Sequence, residues 1–177
     1  DVYKRQMMYV ANFQRISDHA WDEIRRNAEN GYERLCRYDE IKLPTRATKD
    51  SAGFDFYITE DVSLKSGEST VINTGIRCKI DPGWMLMLCP KSGLGFKFRM
   101  SLANTVGIVD GDYYNTHCEG PSDEGHIMVK IYNGGEKEIN LKKGDKFCQG
   151  IFLQYGLAYT TDTEYVTRNG GFGSTGR

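Results

Sequence analysis

No apolar run in this sequence approaches the roughly 18 residues that a membrane-spanning helix requires. Histidine is scarce, with three in 177 residues, and no catalytic order of Ser, His and Asp can be built from them; Ser92 also lacks a GxSxG context. A Walker P-loop is absent, and so is a GxGxxG dinucleotide fingerprint. The five cysteines, Cys36, Cys78, Cys89, Cys118 and Cys148, form no CxxC pair. That usage suits a reducing cytoplasm better than a disulfide framework. His117, Cys118 and His126 find no fourth ligand at zinc spacing, which argues against a structural zinc. Neither sign of charge dominates: 23 Lys and Arg stand against 24 Asp and Glu, a net charge of −1. No global field therefore draws the chain to nucleic acid or to a membrane surface, and an anionic ligand must be held by a local site.

What is present is ordinary for a globular chain with a real core: 39% hydrophobic and 27% charged residues, in a length that fits one domain with an appendage. Asp1 to Gln6 precede Met7 and Met8 and read as a cloning, assembly or upstream-translation extension, with no secretory apolar region after them. Val10 to Ile16 suits a short strand. Ser17 then offers an N-cap, and Ala20, Trp21, Ile24 and Ala28 recur at helical spacing. Asn30-Gly31 is a stop signal, although Tyr32 and Leu35 extend the same face to about Cys36. No other helix is expected. After Pro44, glycines and turn signals arrive every eight to twelve residues or so between short β-rich runs, the texture of a barrel or sandwich. Ile72, Thr74, Ile76, Cys78 and Ile80 share one face of a strand, and Trp84 to Leu88 reads as a strand buried on both sides. Ile127, Val129 and Ile131 alternate, as do Phe147, Ile151 and Leu153. Gly170 to Arg177 holds four glycines and cannot pack a core.

Five clusters can carry chemistry: Ala47 to Phe56, Pro90 to Gly95, Asn104 to Tyr114, Gly144 to Gly150, and Arg168 to Gly176. In the second and fifth, small Gly and Ser residues expose backbone N–H groups that can converge on phosphate oxygens, with Lys91 and Arg168 adding charge; plain turns account for such glycines equally well. A phenylalanine among flexible donors at the end of the chain, Gly171-Phe172-Gly173-Ser174-Thr175, suits a lid over a planar ligand. Asp110 and Asp112 flank Gly111, which suits a hairpin turn as well as a carboxylate that polarises water or anchors a metal. Asn104 reads as a turn residue or as an amide paired with a base edge. Tyr113 reads as a packed aromatic or a substrate contact, and Gln149 as a buried structural amide or a ligand contact.

In this order, the five clusters resemble the five motifs of the trimeric dUTPase family over roughly residues 41 to 177. The resemblance implies an all-β fold, a distorted jelly-roll β-barrel with one extra N-terminal helix and a flexible glycine-rich C-terminal arm. It divides the chain into an extension (1–6), an N-terminal strand and helix (7–40), a β-barrel (41–166) and an arm closing the active site (167–177). It implies hydrolysis of dUTP to dUMP and pyrophosphate, with Asp110 activating the water that attacks the α-phosphorus. Tyr113 would pack on the deoxyribose, while Asn104 and the hairpin backbone, including Gly107 and Val109, would bind the uracil edge. Lys91, Ser92, Gly93 and Gln149 would hold phosphate oxygens, and Asp55 would support the site indirectly. Phe172 would cap the base, with Arg168, Gly173, Ser174 and Thr175 closing over the β- and γ-phosphates. Mg²⁺ on the triphosphate, without a dedicated cage of protein ligands, and a homotrimer with shared sites are implied as well, in the cytoplasm and without nucleic-acid or membrane partners.

The chain also departs from the family pattern. Lys91 stands where an arginine is usual, replacing a bidentate fork by a point charge. Asn115 replaces a common glycine, Thr116 to Gly125 is an insertion, and Arg168 lies one residue closer to the Gly-Gly pair. The helix before the first motif resembles longer members from Firmicutes and their phages, and it is expected to pack on the barrel exterior. A dCTP deaminase-like enzyme is the nearest rival reading. A regulatory protein-binding module on the same scaffold is the second.

Overall fold

The computed structural model describes residues 8–117 and 123–159, so Arg168 and the tail residues Phe172 to Thr175 lie outside the described residues. The strands are β1 (Ala11–Arg15), β2 (Thr45–Arg46), β3 (Phe54–Tyr57), β4 (Val62–Leu64), β5 (Ser69–Asn73), β6 (Ile76–Ile80), β7 (Trp84–Pro90), β8 (Met100–Leu102), β9 (Gly107–Val109), β10 (Met128–Asn133), β11 (Ile139–Leu141) and β12 (Lys146–Gln154). Three short helices join them: α1 (Asp18–Asn27), α2 (Gly31–Arg34) and α3 (Ser92–Phe98). All described strand pairs are antiparallel. They group as β1-β6, β5-β10-β8, β11-β4 and β2-β3-β12-β7-β9. The architecture is the expected all-β, distorted jelly-roll, wrapped around a core of aliphatic side chains that includes Ile72, Leu86, Ile131 and Phe147.

Ser17 caps α1 as its sequence suggests, its Oγ accepting the Ala20 N–H at 3.1 Å. The helix ends at Ala28, whose backbone turns extended, and Asn30 in the left-handed region separates it from the single turn of α2. The helical face therefore does not run unbroken to Cys36. Trp21 is fully buried and its indole N–H donates to the Cys36 carbonyl at 3.0 Å, so the segment after the break folds back over α1. Upstream, Phe13 on β1 packs against Phe54, Phe56 and Phe152 with ring centroids 5.3–5.6 Å apart. Aromatic pairs at such separations add to plain area burial.

Three strand expectations need correction. Ile72 to Ile80 is not one strand: Gly75, at φ +69°, turns the chain between β5 and β6. Thr74 Oγ1 there donates to the Ile127 carbonyl at 2.6 Å and accepts the Ile76 N–H at 3.1 Å. The inward alternation survives the turn, but β5 joins β10 while β6 joins β1. In β7 only Leu86 and Leu88 are buried, and Met85 and Met87 are half-buried, because an antiparallel strand on the barrel wall packs one face on the core. In β12 the register shifts between Lys146 and Cys148. A bulge of this kind reverses the facing of every later residue. Phe147 and Cys148 are both buried as a result, and Ile151 and Leu153 are left half-buried.

Replacing Trp21 by alanine should cost ~3–5 kcal/mol by opening a cavity and orphaning the Cys36 carbonyl. Urea unfolding checks this, and a change under 1 kcal/mol (roughly the effect of an ordinary surface substitution) would show that α1 adds little to the core.

Candidate active site

The first, second and fourth clusters meet on β3, β7 and β12. Gln149 pairs with Asp55 on one side and Cys89 on the other, and the Lys91 N–H donates to the Phe147 carbonyl at 3.0 Å. Asp55 is only 1% exposed. The Lys91 ammonium hydrogen-bonds its Oδ1, and Lys146 Nζ stands 2.8 Å from Oδ2, a charge contact at an angle that leaves Oδ2 without a well-formed hydrogen bond. Burial pushes the Asp55 carboxyl up, yet the two ammonium groups outweigh it and hold the carboxyl below the ordinary aspartate range. The neighbouring Asp55 carboxylate raises Lys146 in turn. Lys146 lies inside the fourth cluster, where its sequence position carries no signal of a role; only the fold shows that it shares Asp55 with Lys91.

The second cluster is not a loop. Lys91 is the N-cap of α3, its carbonyl accepting the N–H groups of Leu94 and Gly95 at 3.0 Å each. Leu94 and Phe98 pack against the core, which gives the segment a helical face that its glycines conceal. The N–H groups of Ser92 and Gly93 fall in the first turn, where a helix has no acceptor of its own, and both residues are exposed. A methyl group added at Gly93 would meet no atom within 4 Å. The packing does not demand this glycine, and the space beside it is open.

The third cluster occupies an unusual pair of strands. β8 pairs with β10 and β9 pairs with β7, so two consecutive strands lie at the edges of different sheets. A single bridge, Leu102 to Thr105, links them among the described residues. Their facing edges thus carry backbone N–H and C=O groups that no ladder uses, and such groups need a partner wherever water is excluded. Thr105 closes the tip at φ +67°, a costly conformation for a β-branched residue, and the Val106 N–H donates to the Asn104 carbonyl at 2.7 Å. Gly107 lies so close to Leu88 that a methyl group there would sit 3.1 Å from the Leu88 Cβ. A cavity of about 710 Å³ opens at this place, bordered by Leu88, Leu102, Ala103, Asn104 and Gly107. Its size is that of a small-molecule site.

Asp110 follows β9 directly. It occupies the N-cap position of the 3₁₀ turn Gly111–Asn115, but its exposed side chain makes no capping bond there. The Val109 side chain points into the core, which leaves only its main chain for a ligand. Tyr113 is 7% exposed and its hydroxyl donates to the His126 carbonyl at 2.7 Å. With the hydroxyl committed, the ring is what remains for contact with a sugar. Within one protomer the structure brings Asn104 and Gly107 to the cavity and gathers Asp55, Lys91 and Gln149 elsewhere; neither those three nor Ser92, Gly93, Asp110 or Tyr113 border it.

A dUTPase family model matches residues 39–176. The chain belongs to the dUTPase family. A deoxyuridine 5'-triphosphate nucleotidohydrolase of Lactococcus lactis subsp. lactis (strain IL1403) is 36% identical over 149 residues, which cover 82% of this chain and 97% of the relative. The enzyme of that name from Hahella chejuensis is 38% identical over 145 residues, covering 78% and 89%. Among solved structures, the dUTPase of Streptococcus mutans superposes with a TM-score of 0.62 at 28% identity, covering 82% of this chain and 97% of that one. A dUTPase from phage phi11 of S. aureus, described with a structural Mg(II) ion, shares the fold at a TM-score of 0.58 and 20% identity.

Among the described residues no three His, Cys, Asp or Glu side chains converge to hold a metal.

Two variants test the geometry. Gly93→Ala should gain about 0.5–1 kcal/mol of helix stability and yet bind dUTP more weakly by calorimetry, since the methyl enters the open space. Full affinity would remove this turn from the site. For Asp55 the depressed carboxyl stabilises the fold above the unfolded-state pKa, and that contribution disappears as pH falls through the lower folded-state value. Asp55→Asn should therefore lower stability at pH 7, leaving two uncompensated ammonium groups, and flatten the acid limb of a stability–pH curve below about pH 4. An acid limb unchanged from the wild type would contradict the pairing.

Proposed function

We propose that the chain hydrolyses dUTP to dUMP and pyrophosphate, which keeps uracil out of DNA and supplies dUMP for dTMP synthesis. The observation that carries this reading is the gap between β8 and β9, two unpaired strand edges bordering a cavity with Asn104 at its lip and Asp110 at the end of β9. Uracil presents two carbonyl acceptors around an N–H donor, and the backbone of Gly107 to Val109 with the Asn104 amide can complement that edge. Cytosine presents an amino donor and a ring acceptor instead, which would leave protein groups unpaired, and mismatches of that kind discriminate strongly. The Tyr113 ring packs against the deoxyribose and leaves no room for a 2′-hydroxyl.

Asp110 accepts a proton from water as the oxygen bonds to the α-phosphorus. The bond from that phosphorus to the bridging oxygen breaks, and pyrophosphate leaves with the electron pair. Little covalent help is needed, because positioning and charge neutralisation carry phosphoryl chemistry. Lys91, Ser92, Gly93 and Gln149 hold phosphate oxygens, and Asp55 keeps the Lys91 ammonium in place. Mg²⁺ bound to the triphosphate supplies neutralisation of phosphate charge. Arg168, Phe172, Gly173, Ser174 and Thr175, outside the described residues, would supply further groups for the base and phosphates.

The assembly is a homotrimer, in which the Asp55, Lys91 and Gln149 group of one protomer faces the hairpin of another. Supporting this, Asp55, Lys91 and Gln149 do not border the cavity beside Asn104 in the single chain. The working compartment is the cytoplasm. Cys36, Cys78, Cys89 and Cys148 are free thiols, and burial raises Cys36 to about 11 and Cys78 and Cys148 to about 12, so these three remain protonated.

With magnesium, pyrophosphate release should be fast from dUTP and at background from dCTP, dTTP and UTP; ammonia from dCTP would instead indicate a deaminase. Asp110→Asn should lose about 10²–10⁴-fold in turnover while keeping dUTP affinity, and normal turnover would remove Asp110 as the base. Asp110→Asn and Lys91→Ala chains, each inactive alone, should regain activity when unfolded and refolded together. An inactive mixture would place each site within one protomer.

A further inference from the structure

The helix α1, so far assigned only a packing role, borders the same cavity as the hairpin. Ala20, Glu23, Ile24, Asn27 and Ala28 line it opposite Asn104 and Gly107. Their spacing places them on one helical face. Ile24 is mostly buried, Glu23 and Asn27 are exposed, and the two alanines leave volume that a larger side chain would fill. We infer that α1 is the outer wall of the nucleoside pocket, a positioning and specificity element contributed by the N-terminal segment of the same chain. The inference rests on the dUTP reading for the identity of the occupant, the uracil of the substrate, which Asn104 and Gly107 face.

A second, independent set of contacts holds this wall in place. The Glu124 carboxylate takes both the Ser17 N–H, at 2.8 Å, and the Ser17 hydroxyl, at 2.5 Å, while that hydroxyl caps α1 through Ala20. Arg77 Nη1 lies 3.4 Å from the same carboxylate. Glu124 pays for the grip with a left-handed backbone, φ +57°, which a non-glycine residue keeps only when its surroundings hold it there. Its neighbour Asp123 lines the cavity, and two residues after Glu124 the His126 carbonyl accepts the Tyr113 hydroxyl. His126 also meets the Trp21 ring edge-on, with centroids 6.4 Å apart. Residues 123–126 thus link Tyr113 to the helix that lines the cavity. A bulky group on α1 crowds the nucleoside from the side away from the phosphates, so its effect falls on ground-state binding rather than on the chemical step.

The test uses the full chain with Trp84→Phe, so that Trp21 is the sole tryptophan, titrated with dUMP and assayed with dUTP. Trp21 emission should change on dUMP binding. Ala20→Phe should raise KM for dUTP by about tenfold or more, with kcat at saturation within about twofold, and should lose the dUMP-dependent emission change. Asn27→Ala and Ser17→Ala should raise KM by a smaller factor. Both positions can be changed without touching the core, so they decide the matter should Ala20→Phe fail to fold. Wild-type KM in Asn27→Ala and Ser17→Ala together with Trp21 emission indifferent to dUMP would overturn the inference. Absence of dUTP turnover in the wild type would sink the proposed reaction instead, and the dUMP titration would still report on the wall.

Discussion

Much of this molecule follows from two neighbouring strands that do not pair. β8 and β9 follow each other in the chain, yet each is zipped to a different sheet, leaving their facing edges with unspent backbone donors and acceptors. An open edge is ordinarily a liability for a β-protein. Here Leu102 of β8 and Gly107 of β9 border a cavity. Thr105 closes their tip at φ +67°, and Gly107 packs tightly against Leu88 on the flank.

The charged half of the site is organised on a different principle. A carboxylate as buried as Asp55 needs compensation, and two ammonium groups supply it. Each lysine is more exposed than the aspartate. The pair of positive charges is therefore presented toward the surface with its geometry set from beneath, beside a helix turn whose N–H groups have no intrahelical acceptor. Lys91 in place of the family's usual arginine fits this support, because a single ammonium can serve Asp55 and still offer donors outward.

The five clusters, the N-cap at Ser17 and the alternation of Ile127, Val129 and Ile131 were legible because they depend on local spacing and residue chemistry. Less visible were features in which one distant residue alters the reading of another. α3 hides behind its glycines, and its helical face shows only once Leu94 and Phe98 have a core to pack on. The bulge between Lys146 and Cys148 reverses the facing of Ile151 and Leu153, a shift that no period-two count on β12 alone can detect. Lys146 gains significance only from standing beside Asp55, about ninety residues earlier in the chain.

By itself the sequence determined which chemistry-bearing residues are on offer: an aspartate after an apolar strand, glycine- and serine-rich segments beside Lys91 and Arg168, and an amide at Asn104. These are properties of side chains and short spacings, and no tertiary context is needed to read them. Tertiary structure alone decided which of them meet. It split the clusters into a charged group around Asp55 and an edge-lined cavity beside Asn104, and it laid α1 across that cavity with Glu124 gripping Ser17. Contacts between residues 107 positions apart depend on how strands partition between sheets, which is settled by packing of the whole core rather than by any local pattern.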